Sequence, residues 1–371
     1  MPRRHIATLV VFAFFALTNC GGDSKEASNT DVGEAQDAVD TLPTDADALD
    51  TGPAVPLIVK WEELIPDSPN KLFAATPIPG QTGHYVLVGE ASTVLLYDGQ
   101  SFKDISPDNI GTVNLTAVWA EGPKAVVVAG EGSSLITWDG SSWQVAGSVP
   151  PSPVINFRAL HGRVGGDVWA VGDDGQAWRR QDAVWVSQSV TATSGADLAE
   201  QVNFVGVQVT DKAGIWLVAD AALSGVGGVV LRGSGDGQWV GHGTARAAQQ
   251  LWVDPLSSAE QPNAYVVGGT TDAFAAKWSS GKFIDAGDVK WSFGFRSVSG
   301  TGPDNVWLGG LKGQVRRSLA DQWEVVMVAP PLGTVGGFPQ PSAEILSIAL
   351  HDNDELILVT GYKLYRYGKQ P

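Results

Sequence analysis

The stretch DVWAVGDDGQAWRRQDAVW, from Asp167 to Trp185, decides the fold. It holds an apolar run, a break rich in glycine and aspartate, a second apolar run, a turn and a final aromatic residue. Alternating apolar residues separated by such breaks are typical of antiparallel strands joined by hairpins. We therefore interpret this stretch as three short strands.

The same pattern recurs along the chain. The clearest further copies are YVLVGEASTVLLYDGQSF from Tyr85, VVVAGEGSSLITWDGSSW from Val126 and VWLGGLKGQVRRSLADQW from Val306. One more apolar strand precedes each copy, such as LTAVWAE before the copy at Val126. Each unit therefore has four strands. Weaker copies begin at Ile215, Ala264 and Leu356.

The spacing of the units identifies an architecture. Equivalent anchor residues are Gly89, Gly130, Gly172, Ala219, Gly268, Gly310 and Thr360. They follow one another at intervals of roughly 45 residues, which is typical of the four-stranded blades of a β-propeller. The sequence predicts an all-β, seven-bladed β-propeller, with six or eight blades as alternatives if one weak copy is misread.

The two ends of the repeat region predict how the ring closes. The last unit stops after YKLYRYG without a fourth strand, whereas the region begins with LIVKWEEL from Leu57. Trp61 in that segment matches the fourth-strand aromatics Trp143 and Trp185. We expect this N-terminal strand to complete the final blade, because a closed ring hides strand edges that would otherwise aggregate.

The first 19 residues predict export. Arg3, Arg4 and His5 precede the apolar run IATLVVFAFFAL, which is too short to span a membrane and is typical of a secretory signal peptide. An uncleaved membrane anchor is the alternative. The following LTNC resembles the lipobox of bacterial lipoproteins, although Asn19 stands where that family prefers a smaller residue. The resemblance implies a lipid on Cys20 and, because Gly21 rather than an aspartate follows, anchoring at the outer membrane, facing the periplasm or the cell surface.

Residues 20–55 predict a disordered tether. Between Gly21 and Val55 there are nine acids, one base and no aromatic residue. Such a segment buries too little apolar surface to offset the entropy of ordering. An acidic tail that binds metal or a basic partner is the alternative. The predicted organisation is therefore a signal peptide at 1–19, a lipidated tether at 20–55 and a propeller at 56–371.

Composition narrows the function classes. The chain has 40 acids and 24 bases, a formal net charge of −16, so the basic surface of a nucleic-acid binder is missing. The 45 glycines and 14 tryptophans favour short strands and tight turns. Cys20 is the single cysteine, so no disulfide is expected. No nucleotide-binding or other cofactor motif is present, and no cofactor is predicted.

The phrase DVWAVGDDGQAWRR resembles the tandem repeats of predicted bacterial surface lipoproteins, notably those of myxobacteria. It is also distantly similar to Asp-box and photosystem-assembly-factor-like propellers. The resemblance implies the fold and a cell-envelope location. It implies no activity, because such proteins are mostly of unknown function and a fold does not settle chemistry.

Carboxylates recur at the turn after the second strand of successive units. Strand alternation places these turns on the same rim as the connections between blades. They could bind a cation through oxygen ligands or attract a basic partner; solvated turn residues are the alternative. No metal-binding loop is recognised, so a metal stays unknown. The candidate ligand-binding residues of this group are Glu90, Glu131, Asp173, Asp174 and Asp220, with Lys312 in the sixth unit.

Long connections on that rim predict a binding surface, because long loops commonly carry binding residues. Trp291 and Phe338 in these connections are the candidate aromatic anchors, with capping of blade edges as the alternative. The tryptophans that recur once per unit are expected to pack between blades, with sugar stacking as the alternative.

A catalytic constellation is not recognisable. At most one arginine of each pair Arg179-Arg180 and Arg316-Arg317 could face a common site, because adjacent strand residues point to opposite faces. We expect both pairs to be exposed and to lie over apolar neighbours. The predicted function is a non-catalytic binding or assembly scaffold for protein or glycan. The alternatives are a glycan-active hydrolase or lyase, and a passive surface-coat protein.

Overall fold

The computed structural model describes residues 61–65, 69–146, 149, 153–198, 202–221, 227–270, 272–287, 289, 293–319, 322–326, 334–335, 338–339, 344–351 and 355–368. Strands and turns make up these residues, and two single 3₁₀ turns are the only helical elements in them. Within these ranges no helix is long and apolar enough to cross a membrane. The predicted signal peptide, Cys20 and the tether lie outside the described residues.

Seven sheets have the same strand order along the chain, and each is antiparallel across its four core strands. The innermost strands are Leu72–Pro77, Leu115–Gly122, Phe157–Gly162, Phe204–Val209, Ala248–Val253, Phe295–Gly302 and Ser347–Leu350. The second strands are Tyr85–Gly89, Ala125–Gly130, Val168–Gly172, Ile215–Ala219, Ala264–Gly268, Asn305–Gly310 and Leu356–Val359. The third strands are Val94–Tyr97, Leu135–Trp138, Ala177–Gln181, Val229–Gly233, Phe274–Ser279, Val315–Leu319 and Leu364–Tyr367. The outermost strands are Phe102–Asp104, Trp143–Val145, Val184–Ser187, Trp239–Gly243, Lys282–Asp285, Gln322–Val326 and, for the seventh blade, Trp61–Ile65.

The sheets form a closed ring. Each innermost strand contacts the innermost strands of both neighbouring blades, and the seventh contacts the first. The backbone N–H of Ala75 in blade 1 donates to Ser347 Oγ in blade 7 at 3.3 Å. The predicted seven-bladed β-propeller is therefore confirmed.

The N-terminal strand completes the seventh blade, as the sequence predicts. Trp61–Ile65 pairs antiparallel with Leu364–Tyr367. The rings of Trp61 and Tyr367 pack with centroids 5.5 Å apart. Arg366 donates to Glu62 in this strand and also to the hydroxyl of Tyr97 and the carbonyl of Gly99 in blade 1. One guanidinium thus ties the closing strand to both blades at the junction.

The core lies between the blades rather than within one sheet. Seven apolar clusters are present among the described residues, one at each interface between neighbouring blades. Trp169 of blade 3 meets Trp239 of blade 4 edge to face, with ring centroids 5.9 Å apart. Both side chains are 1% exposed, so they pack in the core and cannot serve as sugar-stacking platforms.

Cations stack on core aromatics in four successive blades. Arg179 faces Trp169 across the second and third strands of blade 3, and its guanidinium lies 5.9 Å from the ring centroid. The equivalent pairs are Arg232 with Trp216, Lys277 with Tyr265, and Arg317 with Trp307. Such contacts stabilise by about 0.5–2 kcal/mol.

The expectation of exposed arginines was wrong for Arg316, which is buried and has a lowered pKa because of that burial.

The hairpins of the blades use residues with positive φ. At the hairpin between the third and outermost strands, Gly99 and Gly140 have φ of 89° and 97°, which is why Asp-Gly occurs there. Ser141 and Ser142 donate backbone and hydroxyl hydrogens to Asp139, and these bonds, led by the Ser142 N–H, lower the pKa of that carboxyl. Asp139 therefore stays ionised and holds the turn.

Three short strands were not foreseen from the sequence, and two of them, Thr334–Val335 and Phe338–Pro339, form a separate hairpin. Ser194–Gly195, in the long connection between blades 3 and 4, pairs parallel with the outermost strand of blade 4 and makes that sheet five-stranded. A methyl group on Gly241 would lie 1.9 Å from the carbonyl oxygen of Ala196, so only glycine allows this backbone approach. The connection thereby covers one outer edge of the ring.

The recurring anchor glycines have a steric explanation. In blades 1, 2, 3, 5 and 6, a Cβ on the glycine that ends the second strand would lie 2.1–2.5 Å from the carbonyl oxygen before the innermost strand. The pairing register shifts at this point in each of these blades, as between Phe157 and Ala159 in blade 3. Ala219 and Thr360 take this place in the other two blades.

We predict that Gly172→Ala destabilises the protein by about 1–3 kcal/mol, because the added methyl must displace backbone in a packed ring. Its Cβ would lie 2.2 Å from Asn156 O. The measurement is urea unfolding of the full chain. Gly122→Ala is the matched control, since nothing lies within 4 Å of the Cβ it would add. Equal stability of the two variants would contradict this account.

Candidate functional site

The seven innermost strands surround a central channel of about 630 Å³. Successive strands of a blade run in opposite directions. The connections between blades and the turns after the second strands therefore lie at one end of the channel, here called the linker face. The remaining turns lie at the other end, the opposite face. The outermost strand of blade 7 begins at Trp61, level with Tyr367, so the chain enters the propeller at the opposite face.

A ring of seven side chains surrounds the channel at the linker face. In each blade the first apolar residue of the innermost segment, such as Phe157 or Phe295, is fully buried between blades. The next residue lines the channel in every blade. None of these next residues is fully buried. This mouth ring consists of Phe73, Thr116, Arg158, Val205, Gln249, Arg296 and Leu346.

Two arginines of the mouth ring are each held by a carboxylate. Arg158 Nε donates to Asp173 Oδ1, and Arg296 Nε donates to Glu344 Oε1 at 3.0 Å. Among the described residues, the Nη atoms of both arginines have no hydrogen-bond partner. The two side chains are 46% and 27% exposed, so these donors are open to solvent or to a ligand.

The candidate carboxylates are spread over four blades. Lys71 N donates to Glu90, and the backbone and side chain of Asn203 donate to Asp220. Like Asp173, which also accepts from Asn156 at 3.2 Å, these acids hold the start of the innermost strand of their own blade. Glu131 and Asp174 are exposed on the linker face. No group of three histidine, cysteine or acidic side chains among the described residues could hold a metal ion.

The candidate aromatic anchors are only partly visible. Trp291 lies outside the described residues. The backbone of Phe338 forms a short hairpin strand, Phe338–Pro339, and its side chain lies outside the description. Tyr362, which the sequence analysis did not select, is 52% exposed at the linker-face turn of blade 7. Ring position could have revealed Arg158 and Arg296, because aligning the second residues of the innermost strands places both at the mouth.

His161 lines the channel and joins two blades. Its Nδ1 accepts a hydrogen bond of 3.0 Å from the backbone N–H of Val209 in blade 4. Burial lowers the pKa of His161 to about 4. The imidazole is therefore neutral at neutral pH, as an acceptor in this position must be.

We predict that His161 makes stability dependent on pH. Its pKa is about 4 when folded and close to 6.5 when unfolded, so its contribution is complete above pH 6.5 and is lost as pH falls to about 4. The loss is about 3 kcal/mol. His161→Asn keeps an acceptor near the Nδ1 position and does not titrate there. Urea unfolding of the full chain between pH 7 and pH 4 should show a smaller loss for the variant, and equal losses would contradict the assignment.

Comparisons with known proteins identify the fold and no more. No protein-family model matches the sequence, and no curated protein matches it. The structure described as YCF48 bound to D1 peptide is 16% identical, covers 84% of this chain and 97% of its own, and has a TM-score of 0.58. YCF48 from Cyanidioschyzon merolae is 14% identical, with coverage of 83% and 98% and a TM-score of 0.61. A streptogramin B lyase is 11% identical, with coverage of 83% and 97% and a TM-score of 0.63. At these identities the chain is similar to these proteins in fold, and its function must be argued from its own side chains.

Proposed function

We propose that this protein is a lipid-anchored propeller of the cell envelope that binds an extended segment of a partner protein across the mouth ring, without catalysis. The mouth ring is the observation that carries this proposal. It combines apolar side chains, such as Phe73 and Leu346, with polar groups that have unused hydrogen-bond donors. A largely apolar site with a few placed polar groups is typical of ligand recognition.

The rigidity of the ring supports a binding role. Six of the seven mouth-ring residues lie on innermost strands, and Leu346 directly precedes the seventh. These strands are fixed by neighbours on both sides, so the side chains start from ordered backbone. A preformed surface loses little entropy on binding. The similar structure described as YCF48 bound to D1 peptide supports a peptide as the kind of ligand proposed.

The peptide-binding proposal is tested with the full chain, purified in detergent and immobilised, against a phage-displayed library of random twelve-residue peptides. We expect enriched peptides whose binding falls at least tenfold in Gln249→Trp, which fills the mouth. The side chain of Gln249 has no hydrogen-bond partner among the described residues. Leu256→Trp is the control, because Leu256 is 79% exposed in a turn on the opposite face.

Failure to enrich any peptide would overturn the proposed function. Binding that survives in Gln249→Trp but is lost in Leu256→Trp would move the site to the opposite face. Thermal unfolding of both variants separates blocked binding from misfolding.

We predict that Cys20→Ser releases the protein from membranes, because an acyl anchor supplies about 0.8 kcal/mol for each buried CH₂ group. Cells are labelled with radioactive palmitate and fractionated into membrane and soluble material. The native chain should carry label and sediment with membranes, and the variant should do neither. Sedimentation of an unlabelled native chain would show that the anchor is not a lipid.

A further inference from the structure

We infer that the partner segment is acidic, and that Arg158 and Arg296 bind its carboxylates while Phe73 and Leu346 take an adjacent apolar side chain. This inference rests on the proposed function, because it names the chemistry of the segment that the mouth ring binds. The observations that carry it are the free edges of the two guanidinium groups and their positions in the ring.

Each guanidinium keeps hydrogen-bond donors that no described residue accepts. An arginine side chain has five N–H donors arranged as a fork, and only the Nε hydrogen of Arg158 and of Arg296 is engaged among the described residues. The two Nη groups form the edge that binds a carboxylate with two parallel hydrogen bonds. Both arginines line the channel, so these edges are available at the mouth.

The internal carboxylates act as positioning residues. Asp173 and Glu344 hold each arginine through Nε, which orients the guanidinium while leaving the Nη atoms free. They also reduce the local positive charge, so binding of a ligand carboxylate depends on direct hydrogen bonds to the Nη atoms. The arrangement favours a ligand that brings its own carboxylate to each arginine, because charge-assisted pairs are about twice as strong as neutral ones.

The positions in the ring define the shape of the ligand. Arg158 belongs to blade 3 and Arg296 to blade 6, so they lie on widely separated sides of the mouth. Leu346 and Phe73 belong to blades 7 and 1, whose innermost strands are in contact. These two side chains therefore come from adjacent blades, beside the blade that carries Arg296. An extended chain crossing the mouth meets one arginine near each side and the apolar pair beside one of them.

The net charge of the chain limits which acidic peptides bind. The chain carries a formal charge of −16, so an acidic ligand is repelled at long range. Attraction must come from contacts at the mouth, where screening by salt is weakest for partly buried groups. Acidic peptides therefore bind only when their carboxylates reach these arginines.

The test uses the full chain in detergent and three synthetic twelve-residue peptides built on glycine and serine. The first carries two Glu-Leu pairs, the second has Gln-Leu at the same places, and the third has Lys-Leu. Fluorescence anisotropy should show the glutamate peptide binding at least tenfold more tightly than the glutamine peptide, and the lysine peptide binding least.

Variants then assign the effect to the mouth. Arg158→Gln and Arg296→Gln should each lower affinity for the glutamate peptide about tenfold and leave the glutamine peptide unchanged. Arg246→Gln is the matched control: Arg246 also lies on the linker face, is 47% exposed and pairs with Asp272, but does not line the channel.

The outcomes separate this inference from the proposed function. If selected peptides bind the mouth and are blocked by Gln249→Trp, yet glutamate and glutamine peptides bind equally, the acidic preference is wrong and peptide binding stands. If no peptide binds, both are overturned. Polygalacturonate is included as an anionic glycan probe, and its tighter, arginine-dependent binding would assign the site to a glycan and overturn the peptide ligand.

Discussion

The pairing between the first and last strands of the propeller is the constraint on which the rest of the molecule depends. Trp61–Ile65 supplies the outer strand that blade 7 lacks, and its pairing with Leu364–Tyr367 makes the seventh sheet equal to the others. Each apolar cluster is shared by two blades, so an incomplete blade would expose apolar surface on its neighbour as well. Arg366 strengthens the junction because it bonds to the closing strand and to blade 1 together.

Closure of the ring also creates the candidate site. Seven innermost strands converge on one channel, so equivalent residues of separate repeats become neighbours around its mouth. The backbone is nearly the same in each blade, but the side chains at the mouth differ from blade to blade. The repeated backbone therefore forms a rigid frame, and the residues that differ between repeats determine what the mouth can bind. Arg158 and Arg296 are such departures, and the acids that hold them come from a turn and a linker at the same face.

Several carboxylates stabilise local backbone structure. Glu90 and Asp220 accept hydrogen bonds from residues that begin the innermost strand of their own blade. Asp139 holds a hairpin through four hydrogen bonds from two serines. Asp173 links the two kinds of role, since it helps to fix a strand and also orients a mouth arginine. The carboxylates that recur at the turn after the second strand thus stabilise the fold. Whether such a carboxylate also contributes to the candidate site depends on the side chains next to it, as Arg158 does for Asp173.

The sequence alone determined the all-β class, the seven repeats, the hairpins and the closing strand, because alternation and turn residues are local signals repeated seven times. It also favoured core packing over sugar stacking for the tryptophans that recur once per unit, such as Trp169, and their burial confirmed this. Only the tertiary structure decided which side chains meet at the mouth, that Arg316 is buried, and that Ser194–Gly195 adds a fifth strand to blade 4. The reason is physical: strand periodicity is set by neighbours along the chain, whereas the mouth ring joins residues from Phe73 to Leu346 that become neighbours only when the ring closes.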